Sequence, residues 1–200
     1  MKFFEDVSPN GHLEIWKYFS DGTKELHWED KNVICSGMGA TLAEMFDAPY
    51  DAGVDNYQII YFKVGSSGNE TLQASSTGDL SGALTRAQYG TGNLDISTHN
   101  LIKNGAKVTT AGAATTFGVI PYGYIKRVTP TKCMWQIVLD EQTANVADAT
   151  HSRYLNEIGL FSKNPYREGT DASLLCAYRY FKSVYKSDAF ILVFRWTIEF

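Results

Sequence analysis

Histidines are the residues of this 200-residue chain best suited to chemistry near neutral pH. A transition-metal site usually shows two histidines close in sequence, as in H-x-H, H-x-x-x-H or H-E-x-x-H. None of these spacings occurs. We therefore predict structural or solvent-exposed histidines and no metal site, although two of them could face each other across a hairpin. The four are His12, His27, His99 and His151.

Carboxylates offer a second kind of site. Asp47, Asp51 and Asp55 recur at four-residue steps, whereas calcium loops use the more compact D-x-D-x-D-G arrangement. A solvated loop is the simpler interpretation. Two carboxylates for glycoside hydrolysis need only meet in space, and with 22 acidic residues the sequence does not single out a pair.

Motifs for nucleophilic catalysis and phosphate binding are missing from the sequence. No G-x-S-x-G is present, and the glycines at 65 and 68 lack the Gly-Lys-Ser/Thr ending of a phosphate loop. We predict that the protein is not an enzyme and uses no cofactor. A cell-wall or polysaccharide hydrolase is the enzymatic alternative, and no residue set favours it.

Charge, cysteine content and apolar runs indicate which classes of partner and location the sequence disfavours. The net charge is −4 with no basic block, which argues against nucleic acid. Cys35, Cys133 and Cys176 are widely spaced, which favours three reduced thiols, with an intersubunit disulfide as the alternative. The longest apolar run, 189–194, is too short to cross a membrane. The N-terminus lacks the apolar core of a signal peptide. We expect a soluble protein made in a cytoplasm.

Apolar alternation predicts a chain rich in strands. Residues 12–19 and 24–30 flank an Asp-Gly turn, which is a strong hairpin signal. We expect Leu26 and Trp28 on one face of the return strand, with Glu25, His27 and Glu29 on the other. The closing segment, 190–200, is apolar at six successive even positions, which indicates a strand with one face in the core.

The order of these elements predicts a mainly β, antiparallel β-sandwich or partial barrel with one short helix near residues 37–47. We expect a single domain over 1–200, in which 1–65 and 154–200 form the β core. The Gly-, Ser- and Thr-rich segment 66–121 is predicted to be a loop-rich insertion or arm. A hairpin of 122–129 with 133–139 should place Cys133, Trp135, Ile137 and Leu139 on one face.

Four stretches in fixed order carry a family resemblance. They are Asn32–Ala40 leading into the helix, Ile59–Gly65, Asn156–Phe161 and Leu174–Phe200. Together they resemble the tail-fibre-like and collar-like structural proteins of tailed bacteriophages. The resemblance covers the two ends of the chain and contains no catalytic residue.

What the resemblance implies is a non-enzymatic virion protein that forms or decorates a neck, collar or baseplate ring and attaches fibres. Its partners would be copies of itself and other virion proteins, with no nucleic acid and no membrane. The alternative is a receptor- or carbohydrate-binding β-sandwich at a fibre tip, where exposed aromatic rings stack on sugars. The candidate interface residues are Trp16, Tyr18, Tyr89, His99 and Phe117.

We also expect one charged pair within the β core. Glu157 lies between two apolar strands beside Gly159, and could form a structural ion pair with Arg179 or Lys182 on a neighbouring strand. Such a pair contributes about 0–1 kcal/mol when exposed. We predict a structural role for Glu157, and a strand-end role for Lys186.

Overall fold

A computed structural model gives the fold of most of the β core. It describes residues 9–34, 36–46, 58–65, 102–103, 106–107, 118–141, 155–163 and 173–200. Most of these residues lie in antiparallel strands, and the one α-helix among them is short. The prediction of a mainly β, sandwich-like fold is confirmed.

The described elements follow one another along the chain as eleven strands, one α-helix and a 3-10 turn at Tyr122–Tyr124. Their bounds are β1 Asn10–Phe19, β2 Lys24–Ile34, α1 Ser36–Phe46, β3 Ile59–Gly65, β4 Ile102–Lys103, β5 Ala106–Lys107, β6 Gly118–Val119, β7 Ile125–Thr129, β8 Lys132–Leu139, β9 Leu155–Lys163, β10 Ser173–Val184 and β11 Phe190–Glu199.

Nine of the strands form one hydrogen-bonded series in the order β6-β3-β9-β10-β2-β1-β11-β8-β7, while β4 and β5 pair only with each other. The series divides at β2, whose last residues Val33 and Ile34 pair with β10 while its earlier residues pair with β1. We call β2, β1, β11, β8 and β7 the open sheet, and β6, β3, β9 and β10 the covered sheet.

The two sheets pack face to face. β8 and β3 are six places apart in the series, which in a flat sheet would separate them by about 29 Å at ~4.8 Å per strand. Instead the Trp135 indole N–H donates to the carbonyl oxygen of Ile59 at 2.8 Å, and both groups are buried. The Phe181 and Phe194 rings, from β10 and β11, meet at 5.7 Å between centroids. The series therefore folds over itself into a sandwich.

The β1–β2 hairpin has the predicted turn but an unpredicted bulge. Gly22 has a φ of +84°, a conformation that glycine adopts without strain. Farther from the turn the pairing shifts by one residue, because Trp16 pairs with Leu26 whereas Ile15 pairs with Trp28. His27 is the extra residue, and a bulge of this kind changes which side chains share a face.

The expected faces of β2 are therefore wrong. Leu26 lies opposite Trp16 on the outer face and is 38% exposed. Trp28 lies on the inner face, where its ring is 6.4 Å from that of Phe181. Beyond the bulge, Glu29 lies on the outer face, directly opposite Glu14.

The closing strand confirms the alternation of its sequence. Phe190, Leu192, Phe194, Trp196 and Ile198 are all buried. β11 pairs with β1 over ten residues and with β8 over eight, so it lies in the middle of the open sheet. From β8, the predicted face contributes Trp135, Ile137 and Leu139 to the core, and Cys133 packs against it.

Helix α1 confirms the short helix predicted near 37–47. It packs against β10 of the covered sheet, and Met38 and Thr41 are buried there. The loop-rich insertion predicted for 66–121 lies mostly outside the described residues, so the division of the chain into core and insertion stays a prediction.

Candidate functional site on the open sheet

The outer face of the open sheet carries polar and aromatic side chains from β1, β2 and β11. Trp16 and Tyr18, two of the predicted interface residues, lie there and are half-buried. Tyr89, His99 and Phe117 lie outside the described residues, as do His151 and Asp47, Asp51 and Asp55.

Three neighbouring side chains contact Trp16. Its indole N–H donates to Glu14 Oε2 at 2.7 Å. Lys24 Nζ lies 5.4 Å from its ring centroid, and the Arg195 guanidinium carbon lies 5.8 Å away. These are distances at which a cation is attracted to an aromatic face. Arg195 also donates to the Tyr18 hydroxyl at 2.9 Å, which joins the two aromatic residues into one network.

Next to Trp16, three possible metal ligands converge. His12 Nε2 lies 4.0 Å from Glu14 Oε1 and 3.8 Å from Glu29 Oε2. The three ligand atoms all lie within 4.8 Å of one another. His12 and Glu14 share a face because they are two residues apart on β1, and the bulge adds Glu29 to it.

His27 does not join this group. Its Nε2 lies 2.9 Å from the carbonyl oxygen of Lys182. Burial, together with the charges of Lys17 and Lys182, lowers the pKa of His27 below its usual 6.5. The predicted facing of His12 and His27 across the hairpin is wrong, because the register places Lys31 opposite His12.

Four large apolar side chains are exposed along the β7–β8 hairpin and the turn before it, where β7 is the last strand of the described series, and we call this set the apolar patch. Tyr122 is 80% exposed and Val128 54%, and Tyr124 and Val138 also expose large apolar surfaces. The pairing of β7 with β8 is irregular between Arg127 and Thr129. The patch is therefore a set of protruding side chains beside an irregular edge strand.

Glu157 occupies a different place from the one predicted. It is fully buried on β9 and accepts a hydrogen bond of 2.9 Å from the Tyr178 hydroxyl, which is also fully buried. Arg179 pairs instead with Asp30 and lies over the Trp28 ring at 4.8 Å. Burial lowers the pKa of Arg179, and Asp30 opposes that shift. The predicted ion pair of Glu157 with Arg179 or Lys182 is wrong, because Arg179 pairs with Asp30 and Lys182 is exposed on β10.

A second buried polar contact joins α1 to the covered sheet. The hydroxyls of Thr41 and Ser162 lie 2.6 Å apart, and Cys176 Sγ lies 3.5 Å from the Thr41 hydroxyl. Burial raises the pKa of the Cys176 thiol. A thiol in such surroundings stays protonated and inert, and both described cysteines, Cys133 and Cys176, are unbridged.

Lys186 precedes the closing strand and is fully buried. Its Nζ donates to the carbonyl oxygen of Ser187 at 2.7 Å and lies 5.3 Å from the Phe190 ring centroid. Burial lowers the pKa of Lys186 from 10.5 to about 8, while the charges of Asp140, Glu141 and Asp188 act in the opposite direction. The prediction of a strand-end lysine gave the right position but no sign of this burial.

The sequence signal for the His12 group was an H-x-E pair on one strand of a hairpin. An H-x-E pair is not one of the paired-histidine spacings that indicate a transition-metal site, so the sequence did not predict this group. Even so, the third ligand depends on the bulge at His27, since an unbroken register from the turn would set Leu13 opposite Glu29. No sequence pattern in the hairpin predicts that bulge.

Comparison with family models, with curated proteins and with solved structures finds no match for this chain. Among the described residues, no helix is long and apolar enough to span a membrane.

Proposed function

We propose that this chain is a non-enzymatic structural protein of a tailed-phage virion. It forms or decorates a neck, collar or baseplate ring and attaches fibres there. Assembly with copies of itself and with neighbouring virion proteins is its activity. The exposed apolar patch of Tyr122, Tyr124, Val128 and Val138 at the β7 edge is the observation that carries the assembly part of the proposal.

Side chains of this kind favour a defined partner. Aromatic residues are enriched in protein interfaces, where they bury a large area at low entropic cost. Lys126 and Arg127 place two cations on β7, and the irregular pairing there interrupts a straight edge. Charges and bulges on edge strands oppose open-ended strand addition. The patch therefore suits side-chain contact with one neighbour better than uncontrolled aggregation.

The virion part of the proposal is supported by the family resemblance and by where its four stretches lie. β3, β9 and β10 are neighbours in the covered sheet, α1 packs on β10, and the end of β2 pairs with β10. Stretches that are far apart in the sequence thus form one structural unit, which is what a shared fold requires. Only β11 belongs entirely to the open sheet.

The assembly is tested by analytical ultracentrifugation and negative-stain imaging of the full chain over a range of concentrations. We expect multimers or rings at high concentration, and binding to purified tail or neck particles. Tyr122→Ser combined with Val128→Lys should shift the protein to monomer and weaken particle binding at least tenfold. Phe46→Ser is the matched control, since Phe46 is 84% exposed at the end of α1 and lies outside the patch.

Two results would contradict the proposal. One is a protein that stays monomeric at every concentration and also binds no tail or neck component. The other is assembly that the patch variant leaves unchanged, which would remove the observation on which the assembly part rests.

A second candidate function is carbohydrate binding at a fibre tip, which the outer-face position of Trp16 and Tyr18 favours. Sugars stack on open aromatic faces, yet Lys24 and Arg195 already lie over the Trp16 ring. A glycan-array screen with Trp16→Ala as the comparison tests this candidate. Binding that the substitution abolishes would favour the fibre-tip function over the ring.

A further inference from the structure

Three side chains with metal-ligand chemistry meet on the outer face of the β1–β2 hairpin: His12, Glu14 and Glu29. They offer one imidazole nitrogen and two carboxylate oxygens, all within 4.8 Å of one another. We propose that they bind one divalent transition-metal ion of the Zn²⁺ type. The inference is independent of the proposed assembly function.

Distances between the three atoms are close to those of a coordination sphere. Zn–N and Zn–O bonds of about 2.1 Å place two ligands of a tetrahedral site about 3.4 Å apart. His12 Nε2 lies 3.8 Å from Glu29 Oε2 and 4.0 Å from Glu14 Oε1. A contraction of about half an ångström closes the site, and partly exposed side chains can make it by small rotations.

One of the ligands is already oriented for the role. The indole N–H of Trp16 donates to Glu14 Oε2 at 2.7 Å, which leaves Oε1 turned toward His12. Metal-ligating carboxylates are commonly fixed by such an outer hydrogen bond, which reduces the freedom lost on binding. Trp16 is itself held by Lys24 and Arg195.

Electrostatics favours a cation at this point. Glu14 and Glu29 are direct cross-strand partners, and like charges in that relation destabilise a sheet. Arg195 lies across from Glu14 on the other side, but its guanidinium donates to the Tyr18 hydroxyl. A divalent ion between the two carboxylates would turn their repulsion into attraction.

Imidazole with two carboxylates selects the chemical class of ion. A nitrogen ligand favours Zn²⁺ and its neighbours in the transition series over Ca²⁺ and Mg²⁺, which prefer oxygen only. Three protein ligands leave the remaining positions to water, because the site faces solvent. The two strands that hold it are part of the sheet, so the ligand positions are set by the fold.

Isothermal titration of the untagged full chain with Zn²⁺ tests the proposal. We expect one ion per chain in this site, and affinity at least tenfold weaker in His12→Ala and in Glu29→Gln, since even outer-shell losses cost 10–100-fold. Glu25→Gln is the matched control, because Glu25 and Glu29 lie on the same strand and are both 55% exposed. That variant should bind Zn²⁺ as the wild type does.

A thermal melt with and without Zn²⁺ supplies the second readout. An ion that binds the folded chain but not the unfolded chain raises Tm. Zn²⁺ should therefore raise the Tm of the wild type and of Glu25→Gln, but not that of His12→Ala. Circular dichroism verifies that the variants fold. The proposal fails if the wild type binds no Zn²⁺ at concentrations up to about 1 mM. It also fails if His12→Ala and Glu29→Gln bind as tightly as the control.

Discussion

The open and covered sheets differ in what lies on their outer faces. On β1 of the open sheet the inward residues Leu13 and Ile15 are fully buried, whereas Trp16 and Tyr18 are only partly buried. On β9 of the covered sheet, seven of the eight residues from Leu155 to Ser162 are buried. The covered sheet thus has no free face along β9.

This difference determines where polar groups can be placed. A buried polar group is tolerated when it is hydrogen-bonded. The covered sheet pairs Glu157 with Tyr178, and its Ser162 pairs with Thr41 of α1. The open sheet places His12, Glu14 and Glu29 toward solvent, where a ligand can reach them. Stability should therefore depend on both faces of the covered sheet, but on only the inner face of the open sheet.

The largest expected effect is the loss of a ring between the two sheets. Phe194→Ala removes a fully buried ring that contacts Phe181, and should lower the free energy of unfolding by about 3–5 kcal/mol. Ile191→Ala, on the outer face of the same strand, should cost about 1 kcal/mol or less. Urea denaturation measures both. Similar losses at the two positions would contradict the one-sided role of the open sheet.

The next effect compares two tyrosine hydroxyls, one on each sheet. Tyr178→Phe removes the donor to buried Glu157 and should cost about 1–3 kcal/mol, because a buried acceptor is left short of a partner. Tyr18→Phe removes an acceptor of Arg195 on the open face, and should change stability by about 0.5 kcal/mol or less. Urea denaturation of Tyr178→Phe and of Tyr18→Phe measures the two changes in unfolding free energy. An equal cost at both positions would show that burial is not what separates the sheets.

The difference between a buried face and an outer face also explains which features could be predicted from the sequence. The closing strand was predictable because one of its faces is in the core, so the even positions from Phe190 to Ile198 appear as alternation. Helix α1 and the β7–β8 hairpin were also predictable from local patterns. In each of these elements one face lies in the core and the other does not, so apolar residues recur at a regular spacing in the sequence.

What could not be predicted depends on contacts between distant parts of the chain. The bulge at His27 reverses the faces of Trp28 and Glu29 relative to Leu26, and no local pattern marks it. Glu157 and Lys186 look like surface charges in sequence, since Glu and Lys are rarely fully buried. Their burial follows from packing across the sandwich. The ligand group around His12 was missed for the same reason, because its third member comes from the shifted register.

Lys186 gives a pH test of burial next to the open sheet. Its pKa is lowered to about 8 from 10.5, so between these values the unfolded chain binds more protons than the folded chain. Stability should therefore rise with pH across this window, and the cost of burying the charge is fully present below about pH 8. Lys186→Met should raise stability at pH 7 on the order of 1 kcal/mol.

The measurement is the difference in unfolding free energy between wild type and Lys186→Met from pH 7 to pH 10. It should shrink as pH rises, since the wild type loses the charge. Lys182→Met is the control, because Lys182 is exposed near the end of β10. A difference that does not change with pH would mean that Lys186 is charged in the folded protein across the window.

The smallest expected effect concerns helix α1, which packs against β10 of the covered sheet. Gly39 lies inside α1 with open space around it, so Gly39→Ala should stabilise the protein by about 0.5–1 kcal/mol through helix propensity. The gain appears in global unfolding only if α1 unfolds together with the covered sheet. Gly123→Ala, equally unobstructed in the 3-10 turn next to β7, should change stability by about 0.5 kcal/mol or less. If Gly39→Ala leaves the urea midpoint unchanged, α1 opens independently, and its packing against β10 does not contribute to the cooperative unit.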